Sequence, residues 1–335
     1  MQSPSDLVVT TPTGLHCTAG GFHIDPWEPA DLALITHAHA DHARPGSSSY
    51  LCAKPGVPLL RRRLGENASI RGVAYDEPLK LGEARVSFHP AGHVLGSAQI
   101  RIEVRGQVWV VSGDYKRAPD PTCAPFEVVT CDVFVTEATF GLPIYRWAEP
   151  SSVAAEILAW WDACRERGRA AVLFCYALGK AQRILAELAS LTDRRALTHG
   201  AIEPILEIYR AAGIRILATE PVLEAARGRS FAGELILAPL SASGSPWMRR
   251  FRERDTAFAS GWMRVRGTRR RKGYDRGFVL SDHADWPGLL RTIEETGARR
   301  VLVTHGHAEE LARYLRERGL AAEALATAYE GEADV

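Results

Sequence analysis

Three histidines and one aspartate lie within six positions, directly after a short apolar run. The run is Leu32-Ala33-Leu34-Ile35, and the polar residues are His37, His39, Asp41 and His42. In an extended chain, side chains two positions apart point to the same side, so His37 and His39 can reach one metal ion together. Asp41 and His42 lie beyond the turn and can reach a second cation about 3.5–4 Å away. A polar loop of solvated histidines is the alternative, but this density of ligand types favours half of a two-metal site.

The remaining ligands are expected from distant parts of the chain, because two cations need more donors than one loop supplies. His93 lies between two strand-like runs and follows Gly92, which lets the backbone bend close to an ion. Asp114 follows the apolar run that ends at Val111, and a carboxylate there is well placed to bridge two cations. His305 follows a third apolar run in the same way. The set has imidazole and carboxylate donors and no thiolate, which suits Zn²⁺, Mn²⁺ or Fe²⁺.

Composition sets outer limits on the class of protein. The chain has 335 residues, 46% of them hydrophobic, so it can bury a large core and form two domains. It has no run of ~20 apolar residues and no secretory signal at its start, so we expect a cytoplasmic protein with no membrane partner. Its six cysteines lack C-x-x-C spacing and are interpreted as reduced thiols. A net charge of +1 is too balanced to identify a nucleic-acid binder.

The pattern of apolar residues predicts an α/β protein whose core is interrupted by an insertion. Short strands and turns are expected up to about Phe140, whereas helices and strands alternate after Pro150. Alternation of this kind is typical of a small parallel α/β unit. We therefore expect a core formed by residues 1–144 and 269–335, with an inserted domain over residues 145–268.

These motifs resemble those of the metallo-β-lactamase fold hydrolases. The H-x-H-x-D-H segment and the later His93, Asp114 and Asp25 carry this resemblance across the core. Three further segments resemble motifs of the β-CASP nucleases: Thr136–Pro143, Ser281–Asp285 and Val303–His307. The sequences of residues 21–27, 112–117 and 259–263 are similar to those of the bacterial clade of ligase-associated DNA exonucleases. The resemblance implies a four-layer αββα core with an inserted, smaller β-CASP domain.

Carried over residue by residue, the resemblance implies two groups of metal ligands with one bridging carboxylate. The groups are His37, His39 and His93 for one cation, and Asp41, His42 and His305 for the other, with Asp114 between them. Asp25 is expected to orient a ligand histidine or its loop, and it is counted with Asp41 among the catalytic residues. His283 matches the histidine that contacts phosphate, and Glu137 matches the carboxylate that orients it. A carboxylate beside an imidazole favours the protonated ring, which can then donate a proton near neutral pH.

Contacts with nucleic acid are expected from basic residues outside this set. Arginines concentrate between Arg249 and Arg276, interleaved with the aromatic residues Trp247, Phe251, Phe258 and Trp262. Such a surface can gather a phosphate backbone and stack unpaired bases, although Phe258 and Trp262 are better explained as core residues. The predicted contacts are Arg269, Arg270, Arg271 and Lys272, Lys116 after the bridging aspartate, and Gly179 with Lys180 at a helix start. For the last two, a plain strand-to-helix turn is an equal alternative.

The expected activity is hydrolysis of phosphodiester bonds with two divalent ions, Zn²⁺ or Mn²⁺, in which His283 protonates the leaving oxygen. The clade resemblance implies DNA that is single-stranded or has an unpaired end, and a repair setting beside an ATP-dependent DNA ligase and a helicase-like protein. Three alternatives stay open: an RNA-processing endonuclease, a small-ester or thioester hydrolase, and a non-catalytic scaffold that binds nucleic acid. The sequence does not decide between exonuclease and endonuclease action.

Overall fold

The computed structural model describes residues 6–222, 228–265 and 273–329. These residues form a mixed α/β structure with three sheets. The chain divides into two compact units: the first contains the segments up to Arg146 and from His283 onward, and the second runs from Trp147 to Asp282. Each unit is described below by itself.

The first unit contains two sheets. In spatial order, the strands of the first sheet are β1 (Val9–Thr10), β2 (Leu15–Cys17), β3 (Phe22–Ile24), β4 (Leu32–Ile35), β5 (Ser49–Ala53) and β6 (Ile70–Val73). Strands β1 to β3 pair antiparallel, and β3 to β6 pair in parallel. In spatial order, the strands of the second sheet are β19 (Ala321–Ala324), β18 (Arg300–Gly306), β11 (Val133–Ala138), β10 (Gln107–Val111), β9 (Ala98–Val104), β8 (Ala84–Pro90) and β7 (Leu79–Leu81).

The core of the first unit lies on both faces of its second sheet. Phe88 and Ile100 of this sheet are buried in one hydrophobic cluster with Phe22 of the first sheet. Residues of the opposite face, such as Phe134, share a second cluster with helical residues such as Leu289. The helices of this unit are α1 (Val57–Leu64), α5 (Trp286–Thr296) and α6 (Ala308–Glu317). The specific four-layer arrangement stays a prediction.

The direction of the strands brings several polar residues to one edge of the second sheet. Strands β10, β11 and β18 pair in parallel, so their carboxyl ends meet at the same edge. Glu137 and His305 lie at the carboxyl ends of β11 and β18, and Asp114 follows β10. The fold therefore places residues that are far apart in sequence side by side.

The second unit contains a sheet in which all the described pairs are parallel. In spatial order, its strands are β14 (Thr219–Pro221), β13 (Ala196–Thr198), β15 (Leu235–Ala238), β12 (Ala170–Phe174), β16 (Arg254–Ala259) and β17 (Arg276–Phe278). The described helices of this unit are α2 (Pro150–Glu166), α3 (Lys180–Leu188) and α4 (Glu203–Ala211). Every residue of β12 and β15 is buried, as expected for parallel strands covered on both faces.

The second unit ends later in the chain than the sequence predicted. The segment around Phe278 was expected to belong to the core, with the insertion ending at residue 268. Instead β17 hydrogen-bonds in parallel to β16, and the Phe278 ring lies 5.7 Å from that of Trp160 in the second unit. Backbone pairing and burial thus keep the chain in this unit up to Asp282.

The cysteines and the helices bear on two further expectations. All six cysteines are free, and Cys17, Cys52, Cys164 and Cys175 are buried. In the three described ranges, no helix is both long and apolar enough to cross a bilayer.

Candidate metal centre

Ligand-type side chains from four segments of the first unit converge beyond the strand ends. Two groups of potential ligand atoms, each lying within 4.8 Å of one another, share one carboxylate. The groups are His37, His39, His93 and Asp114, and His42, Asp114 and His305. The structure thus brings together six of the seven side chains expected to bind metal.

Asp114 faces the two groups with different oxygen atoms. Its Oδ2 lies 3.4 Å from His37 Nε2 and 3.7 Å from His93 Nε2. Its Oδ1 lies 3.0 Å from His305 Nε2 and 3.5 Å from His42 Nε2. One carboxylate oxygen per group is the arrangement that a bridging ligand between two cations requires.

Asp41 is the seventh expected ligand, and it lies beside His42. Its Oδ2 lies 3.6 Å from His42 Nε2, and its side chain is 16% exposed, whereas that of His42 is 1% exposed. Asp41 therefore stands at the accessible side of the second group.

The hydrogen bonds of Thr36 define which nitrogen of His37 carries a proton. Thr36 Oγ1 donates its only proton to Asp25 Oδ2, so it can only accept from His37 Nδ1, at 3.1 Å. The other ring nitrogen, Nε2, is then left with a lone pair. It is buried and has no hydrogen-bond partner among the described residues. A buried lone pair without a donor suits a metal ligand.

Thr304 prepares His305 in the same way. Thr304 Oγ1 donates to the carbonyl oxygen of Thr136 at 3.1 Å and accepts from His305 Nδ1, also at 3.1 Å. The His305 Nε2 lone pair then faces Asp114 Oδ1 at 3.0 Å. Two acceptors this close repel each other unless a cation or a proton lies near them.

Asp25 performs the corresponding task for His42. His42 Nδ1 donates to Asp25 Oδ2 at 2.7 Å, and the Thr36 backbone N–H donates to Asp25 Oδ1, also at 2.7 Å. The His42 Nε2 atom is buried and without a hydrogen-bond partner in the described part of the chain. Asp25 thus fixes both the ring and the loop that carries it, as its expected orienting role requires.

The electrostatics of the centre favour positive charge at the second group. Burial lowers the pKa of His42, but Asp114, Asp41 and Asp25 outweigh it and raise that pKa to about 10. The pKa of His37 is held well below its usual value by burial and by the neighbouring His42. Burial raises the pKa of Asp114, yet His42, His283 and His37 together hold it well below its usual range. A divalent cation could take the place of the proton on His42, so this donor set fits the metal ions implied by the sequence.

His283 and Glu137 form a buried pair beside the centre. His283 Nδ1 donates to Glu137 Oε2 at 2.8 Å, and the Tyr115 backbone N–H donates to Glu137 Oε1, also at 2.8 Å. Thr139 Oγ1 also donates to Glu137 Oε2, so the carboxylate is fixed from three directions. The His283 ring lies 4.7 Å from that of His93. His283 thus lies beside the ligand-type histidines with its Nδ1 bound to Glu137.

The two residues of the predicted phosphate site at the start of α3 are both engaged within the protein. The Gly179 N–H donates to Gln182 Oε1 at 2.7 Å, so this helix is capped by its own side chain. The Lys180 side chain is fully buried, with Nζ 3.4 Å from Asp282 Oδ2 and 4.6 Å from the centre of the Tyr176 ring. Lys180 neutralises a buried carboxylate of its own unit, and a phosphate would have to break that pair.

The other residues predicted to contact nucleic acid are either buried in the structure or lie outside the described residues. Lys116 is 2% exposed and pairs with Asp120 at 3.2 Å, so it balances a buried carboxylate, and its contact with nucleic acid stays a prediction. Phe251 is 1% exposed and belongs to the core of the second unit, as does Phe258. Four predicted contacts lie outside the described residues: Arg269, Arg270, Arg271 and Lys272.

Three residues that contact the centre were missed by the sequence analysis. Thr36 and Thr304 each precede a ligand-type histidine, and this repeated Thr-His pair was a readable signal. Tyr329 gave no signal, because it lies near the end of the chain without a motif. Its ring stacks on that of His42 at 4.6 Å and 8°, and its hydroxyl donates to the Ile24 carbonyl oxygen at 3.3 Å.

Replacing Asp25 by asparagine should weaken metal binding without removing a ligand. Asp25 has a positive φ of 42°, which asparagine tolerates, so the backbone should be preserved. The amide that the substitution introduces offers one acceptor oxygen where the carboxylate offers two, so it cannot serve Thr36 and His42 equally. Loss of such an orienting group costs about 10–100-fold in metal affinity. Titration against a chelator measures this, and exposed Asp31, replaced by asparagine, is the matched control; equal affinities would contradict the role of Asp25.

Replacing Tyr329 by leucine should lower metal affinity by removing the ring that supports His42. We expect about a 10-fold loss, the lower end for residues that orient a ligand. Tyr329→Phe retains the stack and should bind metal as the wild type does. Tyr314→Leu removes an aromatic ring that packs on Trp286 in the same unit and controls for general loss of packing. A Tyr329→Phe protein as weak as Tyr329→Leu would show that the hydroxyl is responsible instead of the ring.

Comparison with known proteins supports the family suggested by these motifs. No protein-family model matches the chain. Among curated relatives, a Probable DNA ligase of Opitutus terrae is 31% identical over 315 residues, which cover 93% of this chain and 30% of that protein. A ribonuclease of Thermus thermophilus is 29% identical over 220 residues, or 56% of this chain and 47% of that protein. An endoribonuclease Ysh1 of Gibberella zeae is 29% identical over 196 residues, which cover 46% of this chain and 23% of that protein.

The chain spans less than half the length of each of these three relatives. A solved structure, a protein of unknown function from Enterococcus faecalis V583, matches with a TM-score of 0.58 over 90% of this chain and 80% of that one. The sequence identity is 12%, so this likeness concerns the fold alone. The motifs, the fold and the relatives agree in their resemblance to the β-CASP nucleases of the metallo-β-lactamase fold.

Proposed function

We propose that this protein is a metal-dependent nuclease that hydrolyses phosphodiester bonds in DNA. The observation that carries the proposal is the position of Asp114 between two groups of histidines, with the His283–Glu137 pair beside them. A hydrolase of uncharged small esters needs the cations, but it gives no reason for a second proton-donating pair at their side.

Each side chain of the centre has a role in this proposal. His37, His39 and His93 would hold one cation, His42, His305 and Asp41 the other, and Asp114 would bridge them. Divalent cations bound there would supply Lewis-acid chemistry, making water more acidic and offsetting negative charge on the phosphate. Because both Zn²⁺ and Mn²⁺ accept imidazole and carboxylate ligands, the choice of ion is left to the experiment.

The chain's own residues account for the proton transfers. The attacking water forms an O–P bond, and its proton passes to Asp41, the accessible carboxylate of the set. The bond between phosphorus and the 3′ oxygen breaks, and His283 gives its Nε2 proton to that oxygen. Glu137 keeps the His283 ring oriented and favours its protonated form before transfer. The products are a 5′-phosphate and a 3′-hydroxyl, and the proton count balances over the cycle.

DNA is proposed as substrate because the relative from Opitutus terrae, which matches 93% of this chain, is named as a DNA ligase. Single-stranded DNA or unpaired ends, processed before joining by an ATP-dependent ligase, fit that association. A helicase-like partner rests on the clade resemblance. RNA is the second candidate, because the relatives from Thermus thermophilus and Gibberella zeae are named as ribonucleases.

The test is digestion of end-labelled single-stranded, duplex, flap and circular DNA, with RNA of matched sequence, in Zn²⁺ or Mn²⁺. We expect metal-dependent cleavage of DNA with unpaired ends, and loss of cleavage in Asp41→Ala. Cleavage of the circle would identify endonuclease action. Faster cleavage of RNA than of DNA of matched sequence would identify RNA as the substrate. Full activity of the Asp41→Ala protein would contradict the assignment of the metal centre.

A further inference from the structure

Two neighbouring cavities in the second unit share arginines that the proposed function does not use. The first, of about 600 Å³, is lined by Arg249, Arg252, Arg254 and Tyr274, among others. The second, of about 630 Å³, is lined by residues that include Arg249, Arg250 and Arg252. Because both cavities contain Arg249 and Arg252, they form one surface, which we call the arginine groove.

Two guanidinium groups of this groove have no acidic partner among the described residues, whereas Arg229 of the second cavity pairs with Glu220 at 2.7 Å. Arg249 and Arg252 are exposed and make no ion pair with any described residue. Arg250 Nη1 is buried and has no hydrogen-bond partner in the described ranges, and the Arg250 guanidinium lies 5.4 Å from the Trp247 ring. A buried guanidinium nitrogen without an acceptor is costly unless something supplies one.

The acidic residues at the groove are already engaged elsewhere. Glu253 pairs with Arg169 at 3.2 Å, and Asp275 accepts from the N–H and the hydroxyl of Thr256 at 2.7 and 2.8 Å. The bonds from Thr256 leave Asp275 charged, but five arginines line the two cavities against two carboxylates, so the groove combines an excess of positive charge with an unfilled donor. Its chemistry calls for an anionic ligand that offers several acceptor oxygens.

One aromatic ring in the groove distinguishes between kinds of polyanion. Tyr274 is half-buried and lines the first cavity, and its ring is held against Phe174 at 5.3 Å and Phe258 at 5.5 Å. A fixed aromatic face beside free arginines is how proteins bind single-stranded nucleic acid, with bases stacked and phosphates paired. An acidic peptide would use the arginines but would gain little from the ring.

The second cavity of the groove is distinct from the loops that carry the sequence motifs of this unit, whereas the first cavity reaches Phe174 at the carboxyl end of β12. The second cavity is lined by residues that precede the amino ends of β12, β15 and β16. The motif segments around Lys180 and Asp282 follow the carboxyl ends of β12 and β17. In a parallel sheet these are opposite ends, so a ligand in the second cavity does not occupy the motif loops.

We propose that the arginine groove is a second binding site for single-stranded nucleic acid, which holds a part of the strand other than the phosphodiester being cut. The proposal rests on the proposed nuclease function for its biological sense, but the site stands on its own residues. It implies that long strands bind more tightly than short ones without a change in the chemical step.

The test compares the double variant Arg249→Glu/Arg252→Glu with the wild type in the full chain. Fluorescence anisotropy with a labelled 30-nucleotide DNA should show at least a 10-fold weaker affinity. The slope of log affinity against log salt should become shallower by about 1.4, since each phosphate contact on a single strand contributes about 0.7. Hydrolysis of a nitrophenyl ester of thymidine 5′-phosphate, which offers a single nucleotide, should be unchanged, because neither arginine belongs to the metal centre.

A matched control has the same change of charge elsewhere. Arg71→Glu/Arg85→Glu alters two exposed arginines of the first unit and should leave binding of the 30-nucleotide strand nearly unchanged. Tyr274→Leu should weaken binding about 5-fold or more through lost stacking, without changing the salt slope. Equal loss in both double variants would show a nonspecific charge effect and overturn the proposal.

The remaining outcomes separate this proposal from the proposed function. If the wild type cleaves DNA and the double variant binds the 30-nucleotide strand as tightly as the wild type does, the groove proposal is rejected and the nuclease proposal is kept. A wild type that cuts nothing but binds DNA through the groove would reject the nuclease alone. If polyglutamate displaces DNA from the wild type at equal charge concentration and Tyr274→Leu binds normally, the groove is a site for acidic protein segments, which overturns the proposal.

Discussion

Asp114→Asn protein is expected to lose nuclease activity by on the order of 10³-fold and to retain less than its full complement of metal. The carboxylate is the one side chain that faces both histidine groups, with Oδ2 toward His37 and His93 and Oδ1 toward His42 and His305. An asparagine keeps the shape but replaces one acceptor oxygen by an amide that repels a cation. Elemental analysis of dialysed protein should fall from about two ions per chain to one or none.

The same substitution should also lower the stability of the folded, metal-free protein, because Asp114 offsets the positive charge of buried His42. Circular dichroism must therefore accompany the assay, so that unfolding is not mistaken for loss of a ligand. Asp132→Asn is a suitable control: this carboxylate pairs with Arg299 at 3.0 Å and lies just before β11, at the other end of that strand from Glu137. If folded Asp114→Asn protein kept two ions and full activity, the bridging role would be disproved.

The grouping of the ligand-type side chains could be anticipated from sequence because it depends on backbone direction. Asp114 follows and His305 ends parallel strands of the second sheet, whose carboxyl ends meet at one edge, and His37 follows the apolar strand β4 of the first sheet. The alternation of helices and strands in the insertion was likewise readable from apolar spacing, and the helix start expected at Lys180 opens α3, which spans Lys180–Leu188. These features are local, so the residue types around them carry the information.

What could not be anticipated depends on contacts between residues far apart in the chain. Lys180 looks like a phosphate ligand in sequence, and only its pairing with Asp282, 102 positions later, removes it from the surface. Tyr329 stacks on His42 across a still longer separation. Strand β17 has three residues, too few for a periodic signal, so its membership of the second unit follows from pairing alone. Residue type indicates what a side chain can do, whereas burial and partners decide what it does.

The other large loss of cleavage rate is expected from replacing His283, and its size should depend on the leaving group of the substrate. If His283 protonates the departing oxygen, His283→Gln should slow cleavage of DNA by about 10²–10⁴-fold, the usual contribution of a general acid. A nitrophenolate leaves without protonation, so the same variant should hydrolyse a nitrophenyl ester of thymidine 5′-phosphate at a rate within about 10-fold of wild type. Metal content should stay unchanged, because His283 belongs to neither group of expected ligands.

His89→Gln removes a histidine that pairs with Asp76 at 2.7 Å and should behave as the wild type on both substrates. Glu137→Gln should lose less on DNA than His283→Gln, since it disturbs the donor's orientation and leaves the ring in place. Equal losses on DNA and on the nitrophenyl ester would mean that His283 binds the phosphate without donating a proton, and the acid would then have to be sought elsewhere in the centre.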